Sequence, residues 1–171
     1  LKKILDGYND LKSFYGENIK KWRLIFSILL SGLYEEEFTK WCSEMKVKKK
    51  DTDIVSKTIS DLPDLKKKLT SAKFKNSQLY LLLRNAVPEL QAILYSAGSN
   101  IKKNILHYAH DLKDISLDIK GENLMEMGFK HGPEIGRALD FLLALKLDGK
   151  IKNAEEEMTM AKYLLKSKFS S

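Results

Sequence analysis

The chain has 171 residues, 43% of them hydrophobic and 31% charged, which is enough for one domain or two small ones with a real core. Its net charge of +7 favours an acidic partner, most often nucleic acid or a membrane surface. The single cysteine, Cys42, excludes an internal disulfide and favours a reducing, cytoplasmic setting. No secretory signal is present, and the longest apolar run, 24–34, is too short to span a bilayer and indicates a buried helix. Of the two acidic partners we favour nucleic acid and expect no membrane. The chain starts at Leu1 rather than at methionine, which indicates a fragment of a larger protein or a trimmed N-terminus.

Apolar residues recur at helical spacing throughout the first half, and no strand pattern is convincing. The spacing predicts five helices there, over 1–15, 17–33, 35–45, from Asp51 or Asp53 to before Pro63, and 63–72. Gly16 ends the first helix, and the basic run 46–50 connects the third to the fourth. We expect Asp51 or Asp53 to cap the fourth helix and Pro63 to break it.

Five more helices are predicted in the second half, over 78–86, 89–97, 100–112, 133–147 and 154–166. Ser77 is expected to cap the first, Pro88 to open the second and Asn153 to cap the last, while Asp148 and Gly149 end the fourth. The sequence therefore predicts an all-α fold, an array of about ten short helices. A polar stretch at 73–76 divides it into a body-like region, 1–75, and a tail-like region, 76–171.

Four glycines interrupt the helical pattern near the end of the chain: Gly121, Gly128, Gly132 and Gly136. Glycine inside a helical pattern costs about 1 kcal/mol relative to alanine, so this density needs a reason, such as a positive φ or a close approach of backbone. A helix that starts after Gly132 leaves backbone N–H groups beside Lys130, His131 and Arg137, which predicts a phosphate site. One interpretation is helix packing at small residues. We favour a helix–hairpin–helix-like grip on a sugar–phosphate backbone.

Other motifs carry less chemistry. Asp51 and Asp53 form a D-x-D pair, which we interpret as capping rather than as a magnesium site. His107 and His110 lie three residues apart without further ligands nearby in sequence, so no metal site is predicted. No phosphate loop, nucleophile elbow or zinc-protease motif is present, and we predict no catalytic residue.

Basic residues recur in clusters along the whole chain: Lys20, Lys21 and Arg23; Lys46, Lys48, Lys49 and Lys50; Lys66, Lys67 and Lys68; Lys73 and Lys75; Lys102 and Lys103. Each cluster alone is typical of a solvated face, but their recurrence favours a polyanion as partner. Tyr80, Tyr95 and Tyr108 lie at core spacing, and we interpret them as core rather than as base-stacking residues.

The glycine-rich segment 119–157 combines three patterns, G-x-x-L-x-x-x-G, G-P-x-[IL]-G-x-x-L and D-G-x-[IL]-x-N. They are formed by Gly121, Leu124, Gly128, Gly132, Pro133, Ile135, Gly136, Leu139, Asp148, Gly149, Ile151 and Asn153. This segment resembles the C-terminal region of bacterial class II tRNA nucleotidyltransferases, the CCA-adding family with its A-adding and poly(A) polymerase relatives. The segment 79–96 also resembles the family's helix preceding this region, whereas the first half agrees only in being helical and basic.

The resemblance implies an all-α body and tail that hold the acceptor and T arms of tRNA in the cytoplasm. Family members carry their metal-binding aspartates in a head and a nucleotide-templating motif in a neck, and neither is identifiable here. Asp51 and Asp53 lack the head's context, and Glu134-x-x-Arg137 lies in the glycine-rich region, so neither is carried over. The resemblance therefore implies that CMP or AMP transfer, with Mg²⁺ and ATP or CTP, belongs to a head and neck that bind this region. We expect the chain alone to be inactive and to hold no cofactor.

The candidate RNA-binding residues are Lys120, Gly121, Lys130, His131, Gly132, Gly136 and Arg137. Two other functions stay open at this point. One is a helical protein-interaction or assembly module whose lysine faces meet an acidic protein, and the other is a DNA-binding helix–hairpin–helix domain.

Overall fold

The computed structural model describes residues 2–70 and 73–168, and all regular secondary structure within them is helical. The ten α-helices described are α1 Lys2–Tyr15, α2 Lys21–Leu30, α3 Glu35–Glu44, α4 Lys49–Thr70, α5 Asn76–Leu83, α6 Pro88–Tyr95, α7 Ser99–His107, α8 Gly121–Glu126, α9 Pro133–Leu147 and α10 Ala154–Lys168. A 3₁₀ turn, Gly16–Asn18, and a π-helical turn, Tyr108–Leu112, complete the set. The predicted all-α fold is confirmed, while the likeness to a helix–hairpin–helix stays a prediction.

The chain forms two compact units. Unit 1 takes its residues from Leu1–Lys73 and Leu82–His110, and unit 2 from Phe74–Leu81 and Asp111–Ser171. The division into an enzyme's body and tail at residue 75 stays a prediction. Within the described ranges, no helix has both the length and the apolar character that crossing a membrane requires.

Unit 1 is organised around α6, which is buried from Glu89 to Tyr95 and against which α1 and α2 pack. A buried arginine, Arg23 of α2, connects this helix to α4. Its guanidinium contacts Asp51 Oδ1 at 2.5 and 2.7 Å and Glu89 Oε1 at 3.3 Å. The fully buried Glu89 also accepts the backbone N–H of Lys20 at 3.0 Å. This charged group therefore joins α2, α4 and α6.

The structure corrects the predicted start of α4. The helix begins at Lys49, so neither Asp51 nor Asp53 is its N-cap. Asp51 lies in the first turn, where its carboxylate is bound by Arg23. The prediction was wrong because the partner that holds Asp51 lies on another helix.

The predicted break at Pro63 is also wrong, because α4 continues through this proline to Thr70. Val55, Thr58, Leu65 and Leu69 are buried and share one face of the helix at intervals of three, four and seven residues. Burial of that stripe on both sides of the proline offsets the lost hydrogen bond, while Pro63 itself faces solvent. The last residues of the predicted helix, 71 and 72, lie outside the described residues.

Unit 2 has its own core, in which α8, α9 and α10 meet the segments between them. The buried residues of this core are Ile119, Leu124, Phe129, Ala138, Leu142, Ile151 and Ala161. Several boundaries predicted here are confirmed: α9 starts at Pro133, Gly149 ends it with φ of +71°, and Asn153 caps α10 by accepting the N–H of Glu156 at 3.0 Å.

Ser77 does not cap α5, which starts one residue earlier. Its N–H and hydroxyl donate to the carboxylate of Asp148 at 2.9 and 3.0 Å. The D-G-x-I-x-N pattern thus has a structural meaning in unit 2. Asp148 fixes the start of α5, Ile151 enters the core, and Asn153 caps α10.

Candidate nucleic-acid interface

The glycine-rich segment folds as a short helix, a turn and a long helix. Asn123 fixes the start of α8, since its side chain accepts the N–H of Lys120 at 2.8 Å and its own N–H donates to the Lys120 carbonyl at 3.1 Å. Leu124 is fully buried and anchors α8 in the core of unit 2. The chain then reverses through residues 127–132, with φ of +102° at Gly128 and +105° at Gly132. These are conformations that L side chains rarely adopt, which accounts for both turn glycines.

Two other glycines in the segment differ in their surroundings. A Cβ on Gly121 would lie 3.2 Å from Ile135 Cγ2, so close packing against α9 accounts for that glycine. A Cβ on Gly136, in the first turn of α9, would meet open space, and so would one on Gly132. Packing within unit 2 therefore does not explain why position 136 lacks a side chain.

An open pocket of about 350 Å³ lies between α8, the turn and α9. It is lined by Lys120, Gly121, Glu122, Met125, His131, Gly132 and Ile135. Four of the seven predicted binding residues are thus brought together: Lys120, Gly121, His131 and Gly132. Lys130, Gly136 and Arg137 are exposed on the turn and on α9 but do not line the pocket.

Sequence reasoning missed Glu122, Met125 and Ile135 as lining residues. Met125 is among the exposed large hydrophobic residues, and Ile135 packs against the core of unit 2. The helical spacing of 122 and 125, which places both on one side of α8, was the available signal. The pocket therefore combines an apolar floor with a basic side chain, an imidazole and a carboxylate.

The start of α9 offers fewer free N–H groups than a helix without proline. Pro133 has none, and the N–H of Ile135 donates to the Gly132 carbonyl at 3.1 Å. The exposed Lys130 and Arg137 add side-chain positive charge at this end of the helix.

The two faces of α9 have distinct characters. Ile135, Ala138, Leu139 and Leu142 pack into the core of unit 2. On the opposite side, Pro133, Gly136, Arg137 and Phe141 are exposed. Gly136 and Arg137 lie three and four residues after Pro133, so both belong to the exposed side of α9.

A charge cluster in unit 2 supports the segment that leads into the pocket. Glu157 is fully buried, and its carboxylate accepts the N–H groups of Asp118 and Ile119 at 2.9 and 3.0 Å. Lys146 Nζ donates to Glu157 and to Asp118, at 2.7 Å in both cases. The ammonium lowers the pKa of Asp118, and the two carboxylates raise the pKa of Lys146. The backbone immediately before Lys120 is therefore held by α9 and α10.

The remaining candidate motifs gain no catalytic geometry. The carboxylate of Asp51 is bound by Arg23, and His110 lies edge-on to Phe14 at 6.0 Å. Across residues 2–70 and 73–168, no three His, Cys, Asp or Glu side chains are grouped so as to hold a metal ion.

A comparison with known protein families identifies the family to which the chain belongs. A family model described as "tRNA nucleotidyltransferase domain 2 putative" matches residues 16–161, which is most of the chain. The chain belongs to this family. The resemblance to the C-terminal region of tRNA nucleotidyltransferases is confirmed, and it extends into the first half, where only helical and basic character pointed to it.

Among curated proteins, this member of the tRNA nucleotidyltransferase family is similar to the A-adding tRNA nucleotidyltransferase of Geobacter sulfurreducens. The two are 24% identical over 169 residues, which is 94% of this chain and 19% of the relative. The chain thus spans about a fifth of the length of that relative. No solved structure matches the chain.

Proposed function

We propose that this chain is the tRNA-holding region of a tRNA nucleotidyltransferase, and that it binds the backbone of the acceptor and T arms through α8, the turn 127–132 and α9. The single observation that carries the proposal is the open pocket that joins Lys120, Gly121, His131 and Gly132. Membership in the family supports the choice of tRNA as ligand.

The features of this surface suit a phosphate backbone. Lys120, Lys130 and Arg137 are exposed cations, and open space above Gly132 and Gly136 lets a ligand approach the main chain. Contacts of this kind position a nucleic acid without reading its bases, which suits an enzyme that accepts many tRNAs. His131 donates one hydrogen bond when neutral and adds charge when protonated.

The chemistry is assigned to the rest of such an enzyme. A head and neck that bind this region would carry CMP or AMP transfer to the tRNA 3′ end, with Mg²⁺ and ATP or CTP. Asp51, which a D-x-D metal site would require, is held by Arg23. We place the protein in the cytoplasm with its tRNA substrate.

Binding to RNA fragments tests the proposal. A minihelix of the acceptor and T arms should bind about as tightly as whole tRNA, and an isolated anticodon arm much more weakly. Filter binding at several salt concentrations measures both affinities and their salt dependence. Equal affinity for all three RNAs, or for duplex DNA of the same length, would mean attraction by net charge alone and would overturn the assignment.

A further inference from the structure

A second surface, in unit 1, has a different character from the basic faces of the chain. Where α2 turns into α3, several large hydrophobic side chains are exposed: Leu29 to 69%, Leu33 to 39% and Tyr34 to 81%. Single exposed hydrophobic residues are normal on a protein surface. These three instead lie within six consecutive residues of the chain, and we call them and the groove beside them the α2–α3 surface.

The groove has a volume of about 200 Å³ and a mixed lining. Four apolar residues, Leu30, Leu33, Phe38 and Ile59, line it together with Glu35, Ser56 and Ser60. Phe38 belongs to a small buried cluster with Cys42 and Val55, against which Leu30 and Ile59 also pack. The groove therefore opens directly onto an apolar core and has room for one or two side chains from outside.

Carboxylates border this surface, although the chain as a whole carries a net charge of +7. Glu35, Glu36 and Glu37 are exposed in the first turn of α3. Glu37 accepts the N–H of Tyr34 at 3.0 Å, which fixes the loop that exposes Leu33. The helix dipole accounts for acidic residues at this position, but it does not account for the hydrophobic side chains exposed beside them. Three exposed carboxylates favour a basic partner over RNA at this surface.

We propose that the α2–α3 surface binds a protein segment that inserts apolar side chains into the groove and carries lysine or arginine on either side of them. An amphipathic helix laid in an apolar groove is a recurring mode of recognition. The exposed hydrophobic side chains supply the contact area, and Glu35 and Glu36 pair with the flanking cations. Apolar patches with a charged rim mark interaction sites on soluble proteins.

The chain contains a built-in reporter for this binding. Both of its tryptophans, Trp22 and Trp41, lie edge-on to Phe26, at 5.3 and 5.5 Å. Phe26 and Trp41 pack against the same cluster that forms the floor of the groove. Intrinsic tryptophan fluorescence therefore reports on the α2–α3 surface when the added ligand contains no tryptophan.

The test uses two tryptophan-free amphipathic peptides of about four helical turns, one built of leucine and lysine and the other of leucine and glutamate. The lysine peptide should change the tryptophan emission saturably, and the glutamate peptide should bind at least about tenfold more weakly. No saturable change with the lysine peptide, or equal binding of both peptides, would overturn the proposal.

Substitutions locate the binding. Leu33→Ser and Tyr34→Ser should each weaken the lysine peptide at least about fivefold, since each removes apolar contact area. The double change Glu35→Gln and Glu36→Gln should weaken it and reduce its salt dependence. Leu81→Ser, at a leucine of α5 that is 50% exposed, is the matched control and should have no effect.

If Leu33→Ser fails to fold, Tyr34→Ser still tests the proposal. Tyr34 contacts α3 through its backbone N–H and carbonyl groups, which the substitution keeps. Unchanged peptide affinity in a folded Tyr34→Ser variant would place the peptide elsewhere and overturn the proposal. So would sedimentation that shows a dimer abolished by the same substitution, because the occupant would then be a second copy of the chain.

Discussion

Lys146 of α9 and Glu157 of α10 form an ion pair at 2.7 Å, in which the carboxylate is fully buried and the lysine side chain is 15% exposed. The other oxygen of Glu157 accepts two backbone N–H groups, those of Asp118 and Ile119. The pair therefore links the two longest helices of unit 2 to the segment that enters the candidate RNA pocket at Lys120.

Replacing Lys146 with methionine should lower the free energy of unfolding by about 1–3 kcal/mol, because a buried carboxylate then loses its only cationic donor among the described residues. Urea unfolding followed by circular dichroism measures the change. Lys68→Met is the control, since the Lys68–Asp64 pair is 54% and 64% exposed and should contribute less than about 1 kcal/mol. Equal losses in both variants would contradict a special role for Lys146.

The same cluster predicts that its contribution to the free energy of unfolding is lost both in acid and in strong alkali. Lys146 lowers the pKa of Asp118 from its usual 3.8, so the stabilisation from Asp118 is present above 3.8 and is lost as the pH falls below that value. Asp118 and Glu157 raise the pKa of Lys146 from 10.5, so its stabilisation is present below 10.5 and is lost as the pH rises further. Urea midpoints of the wild type and of Asp118→Asn should therefore differ most at neutral pH and converge in acid. A constant difference would contradict the assignment.

Arg23 gives a second test of buried charge. Arg23→Met should destabilise unit 1 by about 3–5 kcal/mol, because it leaves the carboxylates of Asp51 and Glu89 without their guanidinium partner. Asp51→Ala should also destabilise, whereas Asp53→Ala, at an exposed position, should stay within about 0.5 kcal/mol of the wild type. Urea unfolding of the three variants provides the comparison. Similarly small losses of stability in both aspartate variants would contradict the structural role of Asp51 and would favour a shared role of the two residues as a D-x-D pair.

Helix boundaries set by neighbouring residues could be predicted from the sequence. Pro133 starts α9, Gly149 ends it and Asn153 caps α10, since each acts within one turn of its own position. The course of α4 could not be predicted in this way. Its continuation past Pro63 depends on burial along the helix, and the role of Asp51 depends on Arg23 of another helix.

The candidate site likewise contains features that follow from neighbouring residues and features that depend on packing between distant segments. The positive φ at Gly128 and Gly132 follows from the local pattern, because glycines that interrupt a helical pattern favour this conformation. Glu157 carries no comparable local signal, because it ends an acidic run that resembles an ordinary first turn of a helix. Its role arises only when α10 packs beside the segment at 118–119. The first half of the chain lacks short glycine and proline motifs, so its family membership emerged from the comparison over residues 16–161.

We also predict that the chain alone does not catalyse nucleotide transfer. The chain alone should not add CMP or AMP to tRNA, because Asp51 is bound by Arg23 and the described residues contain no group of three His, Cys, Asp or Glu side chains placed to hold a metal ion. Incorporation of labelled CTP or ATP in the presence of Mg²⁺ measures this, with the A-adding enzyme of Geobacter sulfurreducens as positive control. Nucleotide addition by the pure chain would show that the chemistry resides in it.

A charge substitution tests the phosphate contact. Arg137→Ala should weaken binding of several tRNAs to a similar extent and reduce the slope of log affinity against log salt by about one, because a phosphate contact carries no base information. Lys40→Ala, at an exposed lysine of α3 in unit 1, removes the same charge and should leave the slope unchanged. Equal slopes for both variants would show that Arg137 acts only through net charge.

The last prediction separates RNA contact from stability at the glycines of α9. Gly136→Ala should raise the free energy of unfolding by up to about 1 kcal/mol, because alanine favours a helix and its Cβ meets open space. The same variant should bind tRNA more weakly, since that Cβ lies where the proposed backbone contact is made. Gly132→Ala should lower stability by about 1 kcal/mol, because φ is +105° there.

Gly32→Ala is the control for these variants, since Gly32 also faces open space but lies in unit 1. Thermal unfolding and filter binding on the same protein samples give both readouts. A Gly136→Ala protein that is more stable and binds tRNA as tightly as the Gly32→Ala control would show that RNA does not approach this backbone. The lysine clusters would then be the surface to test next.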